Sequence, residues 1–487
     1  MVEKPRFLKN NYSKKYDKKD VWYFNSSSHL DFMSLFSTVG NILVKKLSDE
    51  GYSVTTLQCE GGPVFCQTGA SVLNPNHMMP CYSCIKFNRK FTDGTHPIVF
   101  SKNDRKNKNV EILSDDEIKS LIEPSIRWLL RGNTSDEKLY KSFQKNMLLS
   151  SKQWINYLNE MPEGRLPKFA IIFNGYTFPE SIIKKVLELK NVKVFTFESG
   201  FANNSIFFSE EFAPDYNFKI RKSKLKIEEK NKLEEYLQKR RTGEFDRGGV
   251  KFWKEMEPIS KDLIKKIKEY KNTASLFLNV PFDTSQVNAH YLFEDLYDWL
   301  LSTKKLVKEN PSTLFIYRSH PDESREDKKL FQPTSEWLVE NGFSKLKNVV
   351  IISSENNISS YELIKISDLV LVYNSTVALE SVLLNKNVLT AGNAHYTRIN
   401  YFKPSKNKDK YFESFKKLLN QKHEIPNNIY SDVEQYFYSL VFESSIDFSN
   451  EITKTENRKY SFETADKLNL KSKSLNEFMN FIQNTSS

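Results

Sequence analysis

The sequence predicts an α/β protein with two doubly wound, Rossmann-like domains that face a cleft. In both halves, short β-branched runs alternate with helical patterns, which favours parallel sheets joined by crossover helices. A length of 487 residues suits two or three domains rather than one. A basic helical stretch ends in a glycine-containing hinge, and a strand pattern begins again near residue 276. The boundary between the two domains is therefore expected between about residues 248 and 270. We therefore expect four regions: a flexible basic arm at 1–20, an α/β domain at 21–250 with a Cys-rich insertion at 59–84, a second α/β domain at 260–410, and a helical segment at 411–487.

The composition limits the class of protein and its compartment. The formal net charge of +11 suits an anionic substrate, an anionic membrane surface or nucleic acid. No apolar run reaches 18 residues, so we expect no transmembrane helix. The first 20 residues are rich in Lys, Asn and Tyr and lack the apolar centre of a secretory signal. These features predict a cytoplasmic protein that can contact the inner face of the cytoplasmic membrane.

Polar residues follow several predicted strands of the first half. The predicted strands and helices lie at residues 21–24, 30–49, 54–57, 169–173, 179–189 and 192–197. Ser28 and His29 follow the first strand, where they could face a ligand or serve as a helix cap beside a surface histidine. Asn174 and Gly175 follow a later strand, and Glu198 ends the next one. Glu198 could be a general base, a hydroxyl acceptor or simply an exposed carboxylate.

All four cysteines lie close together in the sequence, at Cys59, Cys66, Cys81 and Cys84. Disulfides are disfavoured in a cytosolic chain. A Cys-x2-Cys pair with two further thiols suits a closed tetrahedral zinc site, which would hold a segment rich in Gly and Pro. An iron–sulfur cluster and reduced buried cysteines are the alternatives.

Residues 219–254 form a strongly basic stretch with a few apolar positions. The pattern predicts an exposed helix followed by a glycine-containing hinge. A solvated face is one interpretation, and a membrane surface or a phosphate-rich partner is the other.

The second half carries two polar loops that suit a phosphate. Predicted strands lie at residues 276–280, 314–317, 348–352, 369–373 and 387–390, with helices between them and at 408–420, 430–444 and 474–483. Arg318, Ser319 and His320 follow one strand, and residues 374–376 (Asn-Ser-Thr) follow another before a helix that carries Glu380. Ligands of such sheets bind at the carboxyl ends of the strands. The two loops therefore predict a nucleotide-phosphate site, although neither GxGxxG nor a P-loop occurs.

Five short segments, taken in order, resemble the GT-B glycosyltransferases of capsule and surface-polysaccharide biosynthesis. This group includes polysialyltransferase-like and Kdo-transferase-like enzymes. The segments are Phe173-Asn174-Gly175, Glu198-Ser199-Gly200, Leu278-Asn279-Val280-Pro281-Phe282-Asp283, Arg318-Ser319-His320-Pro321-Asp322-Glu323, and Asn374-Ser375-Thr376 with Glu380. The likeness spans roughly residues 20–400 and includes the cysteine cluster. It departs at Tyr176, where an arginine is expected.

The resemblance implies that the two halves of the chain bind different substrates. The second half would bind a CMP-, UDP- or GDP-linked sugar, and the first a glycan or glycolipid acceptor. The implied donor-binding residues are Asp283, Arg318, His320, Asn374, Ser375, Thr376 and Glu380, and the acceptor-side residues are Ser28, Asn174 and Gly175. His320 would contact the donor phosphate, while Glu380 would accept from a ribose hydroxyl or orient His320. An inverting reaction would also need a base, for which Glu198, His29 and Asp31 are the candidates. No Asp-x-Asp occurs, so we expect catalysis without a metal cofactor.

Three other functions fit the same sequence features. A polyol-phosphate transferase of the CDP-glycerol type also uses a His-Pro loop and a Ser-Thr phosphate site. A sugar-nucleotide epimerase shares the fold and needs no acceptor. A basic nucleic-acid-binding or scaffold protein would use the Lys-rich stretch and show a steep salt dependence, but nucleic acid is the less expected partner.

Overall fold

Two separate β-sheets form the centres of two lobes. The computed structural model describes residues 20–24, 34–69, 79–91, 95–105, 111–132, 136–244, 246–247, 250–251, 256–325, 328–421, 425–456, 459–462 and 468–486. The strands are β1 (Asp20–Phe24), β2 (Ser53–Glu60), β3 (His96–Ser101), β4 (Phe169–Phe173), β5 (Lys193–Ser199), β6 (Ser205–Ser209), β7 (Asp246–Arg247), β8 (Val250–Lys251), β9 (Asn272–Phe277), β10 (Thr313–Arg318), β11 (Val349–Ile352), β12 (Leu369–Val372), β13 (Asn387–Thr390), β14 (Ser445–Asp447), β15 (Ile452–Glu456) and β16 (Lys459–Phe462). The helices are α1 (Leu35–Asp49), α2 (Cys81–Phe91), α3 (Asp115–Leu130), α4 (Glu137–Asn159), α5 (Glu180–Leu189), α6 (Ile227–Thr242), α7 (Lys261–Ile267), α8 (Leu296–Glu309), α9 (Thr334–Glu340), α10 (Ser360–Ile366), α11 (Val377–Leu383), α12 (Lys408–Asn420), α13 (Asn427–Tyr438) and α14 (Lys473–Ser486).

The N-terminal lobe contains a seven-stranded sheet in the order β14-β6-β5-β4-β1-β2-β3. The five strands from β5 to β3 are parallel, and β6 and β14 are antiparallel to their neighbours. Every residue of β4 is buried, as expected for a strand covered by helices on both faces. The strand order reverses at β1, so the crevice for a ligand of this sheet lies at the carboxyl ends of β1 and β4.

The C-terminal lobe contains a five-stranded parallel sheet in the order β11-β10-β9-β12-β13. Central strand β9 pairs with both β10 and β12, and its last residue, Phe277, lies level with Arg318 on one side and Val372 on the other. The loops that follow Arg318 and Val372 therefore leave the same edge of the sheet. This register places the two predicted phosphate-binding loops side by side.

The end of the chain returns to the N-terminal lobe. Helix α13 contacts α6 and α11, and β14 then pairs with β6 of the first sheet. Helix α14 packs Leu475 and Phe478 against that sheet. The predicted helical segment at 411–487 does contain α13 and α14, but the description is incomplete, because this region also contributes β14 and the β15–β16 hairpin.

The predicted fold class of two Rossmann-like α/β domains is confirmed. Strands β4 and β13 and helix α12 have the predicted bounds, and β9 begins four residues before the predicted strand. Helix α1 is described from Leu35 and is capped by Ser34, whose Oγ accepts the N–H of Ser37 at 3.2 Å. Strands β3 and β6 are additions to the predicted set.

Helix α6, within the basic stretch, is not a free-standing exposed helix. Leu233 and Leu237 are buried in an apolar cluster that also contains residues of α10, α11 and α13. The face that carries these leucines therefore joins the two lobes, which corrects the prediction of an exposed helix. Among the described residues, no helix combines the length and apolar character needed to cross a bilayer.

Candidate active site

A cavity of about 130 Å³ lies at the carboxyl ends of β9 and β10, where the two lobes meet. Both polar loops of the second lobe contribute to its wall, and the first lobe adds two side chains. The residues that carry polar or aromatic groups into this lining are Phe201, Arg240, Phe277, Arg318, Ser319, His320, Ser360, Tyr361, Ser375, Thr376 and Glu380. The structure therefore brings Arg318 and His320 together with Ser375, Thr376 and Glu380, as the sequence predicts.

His320 is held as a neutral hydrogen-bond donor. Its Nδ1 accepts the backbone N–H of Asp322 at 3.1 Å, so the neutral ring carries its proton on Nε2. Burial is the main reason that the pKa of His320 lies below its ordinary value. A neutral imidazole can donate this Nε2–H to a phosphate oxygen without itself bearing charge.

Glu323 fixes the loop that carries His320, a role that sequence reasoning missed. Its carboxylate accepts the backbone N–H of His320 at 3.2 Å. It also accepts the N–H of Thr334 at 3.0 Å and the Thr334 hydroxyl at 2.8 Å. Burial raises the pKa of Glu323 to about 7 in spite of these hydrogen bonds, which lower it. The available signal was its position: Glu323 lies three residues after His320, the spacing of a capping box.

We expect Glu323 to make stability fall as the pH rises. Its folded-state pKa of about 7 exceeds the ordinary value of 4.5, so its stabilising contribution is complete below about pH 4.5 and is lost as the pH rises through 7. Glu323→Gln cannot titrate and lacks this dependence. Urea unfolding from pH 5 to pH 8 should therefore show a steeper decline for the wild type than for the variant. Parallel pH profiles for the two proteins would contradict this assignment.

Arg318 presents a buried N–H group that lacks a protein partner. Its guanidinium donates to the carbonyl oxygens of Ser353 and, at 2.8 Å, Asn356. Its Nε has no hydrogen-bond partner among the described residues, although only 2% of the residue is exposed. Burial lowers the pKa of Arg318 to about 10, so it remains charged at neutral pH. Leaving a buried donor unpaired costs about 1–3 kcal/mol, which an anionic ligand would offset.

Asn374 shapes the second loop without lining the cavity. Its side-chain amide donates to the Ser285 carbonyl at 2.8 Å and accepts from Gln286 Nε2 at 2.8 Å. The next residue, Ser375, is held by Tyr396, whose hydroxyl donates to the Ser375 carbonyl at 2.8 Å. These hydrogen bonds fix the backbone of the loop that carries the Ser375 and Thr376 hydroxyls.

Glu380 forms a buried ion pair with a residue of the other lobe. One of its carboxylate oxygens lies 2.8 Å from Nη2 of Arg240, and the two side chains are 3% and 14% exposed. The Tyr361 hydroxyl also hydrogen-bonds Glu380. Sequence reasoning missed Arg240 because it lies in the basic stretch. Its spacing from Leu233 and Leu237, on the apolar side of a helix, was the one available signal.

Asp283 is held away from the cavity. Its Oδ2 lies 2.7 Å from Nζ of Lys328, and its Oδ1 accepts the N–H of Ser285 at 3.1 Å. The Lys328 charge keeps the pKa of Asp283 well below its ordinary value despite burial. Asp283 does not line the cavity. Its bonds to Lys328 and Ser285 instead hold the loop after β9.

On the acceptor side, Glu198 is engaged by its neighbours. Its Oε2 accepts Asn174 Nδ2 at 2.7 Å, and its Oε1 accepts the N–H of Ser199 at 2.8 Å. Asn174 and Gly175 both adopt left-handed backbone, with φ of 58° and 95°, which turns the chain sharply after β4. None of these residues lines the donor-side cavity. Ser28, His29 and Asp31 lie outside the described residues.

Tyr176, at the position where an arginine was expected, bridges the lobes. Its hydroxyl donates to Oδ2 of Asp215 at 2.7 Å and accepts from Nδ2 of Asn288, in the second lobe, at 2.6 Å. Burial raises the pKa of Asp215 above its ordinary value. Asp215 is thus a partly desolvated carboxyl at the lobe contact that sequence reasoning did not identify.

The four cysteines lie away from this site, around a second cavity at the carboxyl end of β2. None of these four described residues forms a disulfide. Within the described ranges, no three His, Cys, Asp or Glu side chains are grouped closely enough to hold one metal ion. The tetrahedral zinc site predicted from the spacing stays a prediction.

The fold and the cavity define a two-lobed α/β protein with a Rossmann-like sheet in each lobe and a polar, partly cationic site between the lobes. Residues 251–399 match the model of the family described as Capsule polysaccharide biosynthesis protein. This segment contains both polar loops of the cavity. The predicted resemblance to capsule-biosynthesis proteins is confirmed over this part of the chain.

Solved structures similar to this chain include two transferases and an epimerase. The Thermosulfurimonas dismutans KpsC beta Kdo 2,4 transferase is 12% identical, with a TM-score of 0.39 over 62% of this chain and 85% of its own. The corresponding 2,7 transferase is 12% identical, with a TM-score of 0.33 over 65% and 85%. UDP-GlcNAc 2-epimerase from Neisseria meningitidis, bound to UDP-GlcNAc, is 10% identical, with a TM-score of 0.25 over 87% and 100%. Such low scores support no argument about activity. A search of curated protein sequences found no match to the chain.

Proposed function

We propose that this protein is a glycosyltransferase that moves a sugar from a nucleotide-sugar donor to a surface glycan or glycolipid acceptor. The observation that carries the proposal is the cavity that His320 shares with Ser375 and Thr376. These residues lie on separate loops of the chain, yet both loops leave the same sheet edge and supply groups suited to a phosphate. The family match covers this same segment of the chain.

In the proposed reaction, the cavity stabilises the departing nucleotide. Negative charge develops on the phosphate oxygen as the bond to the sugar breaks. His320 Nε2–H, Arg318 Nε–H and the loop hydroxyls are donors that are already in place, so little reorganisation is needed when that charge appears. The charge of Arg318 favours the anion further. Because the chain itself supplies these groups, we propose that catalysis needs no metal ion.

The acceptor would approach from the N-terminal lobe. The loops after β4 and β5, which carry Asn174, Gly175 and Glu198, leave the carboxyl edge of the first sheet. Glu198 keeps both oxygens hydrogen-bonded, so as a base it would have to exchange one of these partners for the acceptor hydroxyl. Asp215, with its raised pKa, is a further candidate base for an inverting reaction.

A thermal-shift panel tests the proposal. We expect one of CMP, UDP and GDP to raise the melting temperature, because a ligand at 100 times its Kd stabilises the native state by about 2.7 kcal/mol. The Arg318→Lys variant, which loses the Nε donor, should show a smaller shift with the same nucleotide. If no nucleotide shifts the melting temperature while generic DNA binds with a steep salt dependence, the proposal is wrong and the nucleic-acid alternative is favoured.

Product analysis with the nucleotide that binds separates the enzymatic alternatives. Transfer from the matching nucleotide sugar to an acceptor is the expected result. Transfer of glycerol phosphate from CDP-glycerol would instead identify a polyol-phosphate transferase. Conversion of the nucleotide sugar without any acceptor would identify an epimerase.

A further inference from the structure

The second cavity, of about 110 Å³, occupies the ligand crevice of the N-terminal lobe. Strands β1 and β2 pair in parallel with Tyr23 level with Thr56, so both end at the same edge of the first sheet, beside the cavity. Phe178 and Pro179, from the loop after β4, also line it. The strand order reverses at β1, and ligands of open α/β sheets bind in the crevice at such a point.

The wall of this cavity combines aromatic rings with uncharged polar groups. Its large aromatic side chains include Phe24, Phe65, Phe87 and Trp154. None of the described residues that line it is a Lys, Arg, His, Asp or Glu, whereas two arginines line the donor cavity. A phosphate or carboxylate bound here would lack a cationic partner, and an unpaired buried charge is costly. The lining therefore favours an uncharged ligand.

Two buried polar atoms of the lining residues lack a partner in the chain. Trp154 is 0% exposed, yet its indole Nε1–H has no hydrogen-bond partner among the described residues. Gln67 Oε1 is likewise buried without a partner in the described part of the chain. One of these atoms is a donor and the other an acceptor, and each is unfavourable when left unsatisfied. Hydroxyl groups satisfy both, because a hydroxyl donates and accepts.

Further amide groups of the wall are held in fixed orientations. Gln58 Nε2 donates to the Thr56 hydroxyl at 3.2 Å, and Asn41 Nδ2 donates to the Ser37 carbonyl at 2.8 Å. Amides that are already oriented lose little freedom when a ligand binds. Aromatic rings beside oriented amides suit a sugar, whose C–H groups pack on the rings while its hydroxyls bond the amides.

We propose that this cavity binds an uncharged sugar residue of the acceptor glycan. Its hydroxyls accept the Trp154 Nε1–H and donate to Gln67 Oε1. One water needs about 10–15 Å³, so the cavity has room for several waters, or for one sugar ring in their place. That this glycan is the acceptor rests on the proposed transferase function, whereas sugar binding at the cavity does not.

Paired methyl glycosides test the proposal on the full chain. Methyl glycosides of glucose, galactose, N-acetylglucosamine and N-acetylgalactosamine are each compared with the uronic acid glycoside that differs only by a carboxylate in place of the CH₂OH group. Titrations followed by ligand-observed NMR should show binding of at least one neutral glycoside, and its acidic counterpart should bind at least about tenfold more weakly. Equal or tighter binding of the acidic counterpart would overturn the proposal. So would binding of octanol with no binding of any neutral glycoside, which would identify a site for a hydrocarbon chain.

A matched pair of tryptophan variants locates the sugar. Trp154→Phe keeps an aromatic ring but loses the N–H donor, so the neutral glycoside should bind about 2- to 10-fold more weakly, the effect of one hydrogen bond. Trp22→Phe is the control, because Trp22 is 1% exposed and also has a buried Nε1 without a partner among the described residues, but does not line the cavity. Equal affinities in the two variants would refute the assignment. Should Trp154→Phe fail to fold, Gln67→Leu, which removes the acceptor, replaces it in the same comparison.

Nucleotide binding by the same samples separates this site from the proposed function. Binding of a neutral glycoside without any nucleotide-induced shift of the melting temperature would support the sugar site and count against the transferase. Nucleotide binding with a preference for the acidic glycosides would overturn the sugar site alone.

Discussion

His320→Ala lowers the rate of sugar transfer by about 10²–10³-fold, the loss expected when one preorganised donor to a developing anion is removed. The ring donates from Nε2, and Nδ1 is already occupied by the N–H of Asp322. Alanine removes the donor to the phosphate but leaves the loop anchored by Glu323, which binds the His320 backbone. The fold should therefore persist, and single-turnover rates with a saturating donor measure the effect.

Ser324→Ala is the matched control for this variant. Ser324 lies in the same short turn, is exposed, and bonds only the Pro321 carbonyl at 3.0 Å among the described contacts. We expect near-normal transfer from it and an unchanged melting temperature for both variants. Transfer by His320→Ala at the rate of the control would remove His320 from the catalytic site.

Arg240→Met both destabilises the protein and weakens donor binding. Removing one partner of a buried ion pair leaves an uncompensated charge, at a cost of about 3–5 kcal/mol, and the stranded group here is Glu380. Arg240 also lines the donor cavity, so the orientation of Glu380 toward the donor is lost with it. We expect a lower urea midpoint and a KM for the donor raised more than kcat is lowered.

A double variant shows whether Arg240 acts through Glu380. Adding Glu380→Gln to Arg240→Met removes the stranded charge, so the double variant should regain stability and bind the donor no more weakly than Arg240→Met alone. Lys239→Met is the matched control, because Lys239 forms an exposed ion pair with Glu235 on the same helix. A Lys239→Met variant as unstable as Arg240→Met, or effects that simply add in the double variant, would contradict this role.

Local pattern was enough to predict the strands and the two loops of the site. The apolar run of β10 and the Arg-Ser-His-Pro sequence after it mark a strand end, and β12 with its Asn-Ser-Thr sequence marks another. The spacing of apolar side chains along the sequence is enough to identify strands such as β10 and β12. What the pattern could not give is the strand order. The two loops meet because β9 pairs with both β10 and β12.

The residues that sequence reasoning missed act across long distances in the chain. Arg240 enters the cavity from the other lobe: its helical spacing from Leu233 and Leu237 could mark it as facing inward, but the local sequence does not show that α6 packs against the second lobe. Asp283 looks like a ligand in its motif, but Lys328 engages it 45 residues later in the chain. The cysteine spacing predicted a metal site, which stays a prediction.

A crystal structure of the protein with its nucleotide tests the central claim most directly. We predict that a phosphate oxygen lies about 2.7–3.2 Å from His320 Nε2 and that the Arg318 Nε–H and the hydroxyls of Ser375 and Thr376 face the same group. A nucleotide whose phosphate binds on the outer surface, or in the N-terminal lobe away from these two loops, would contradict the account.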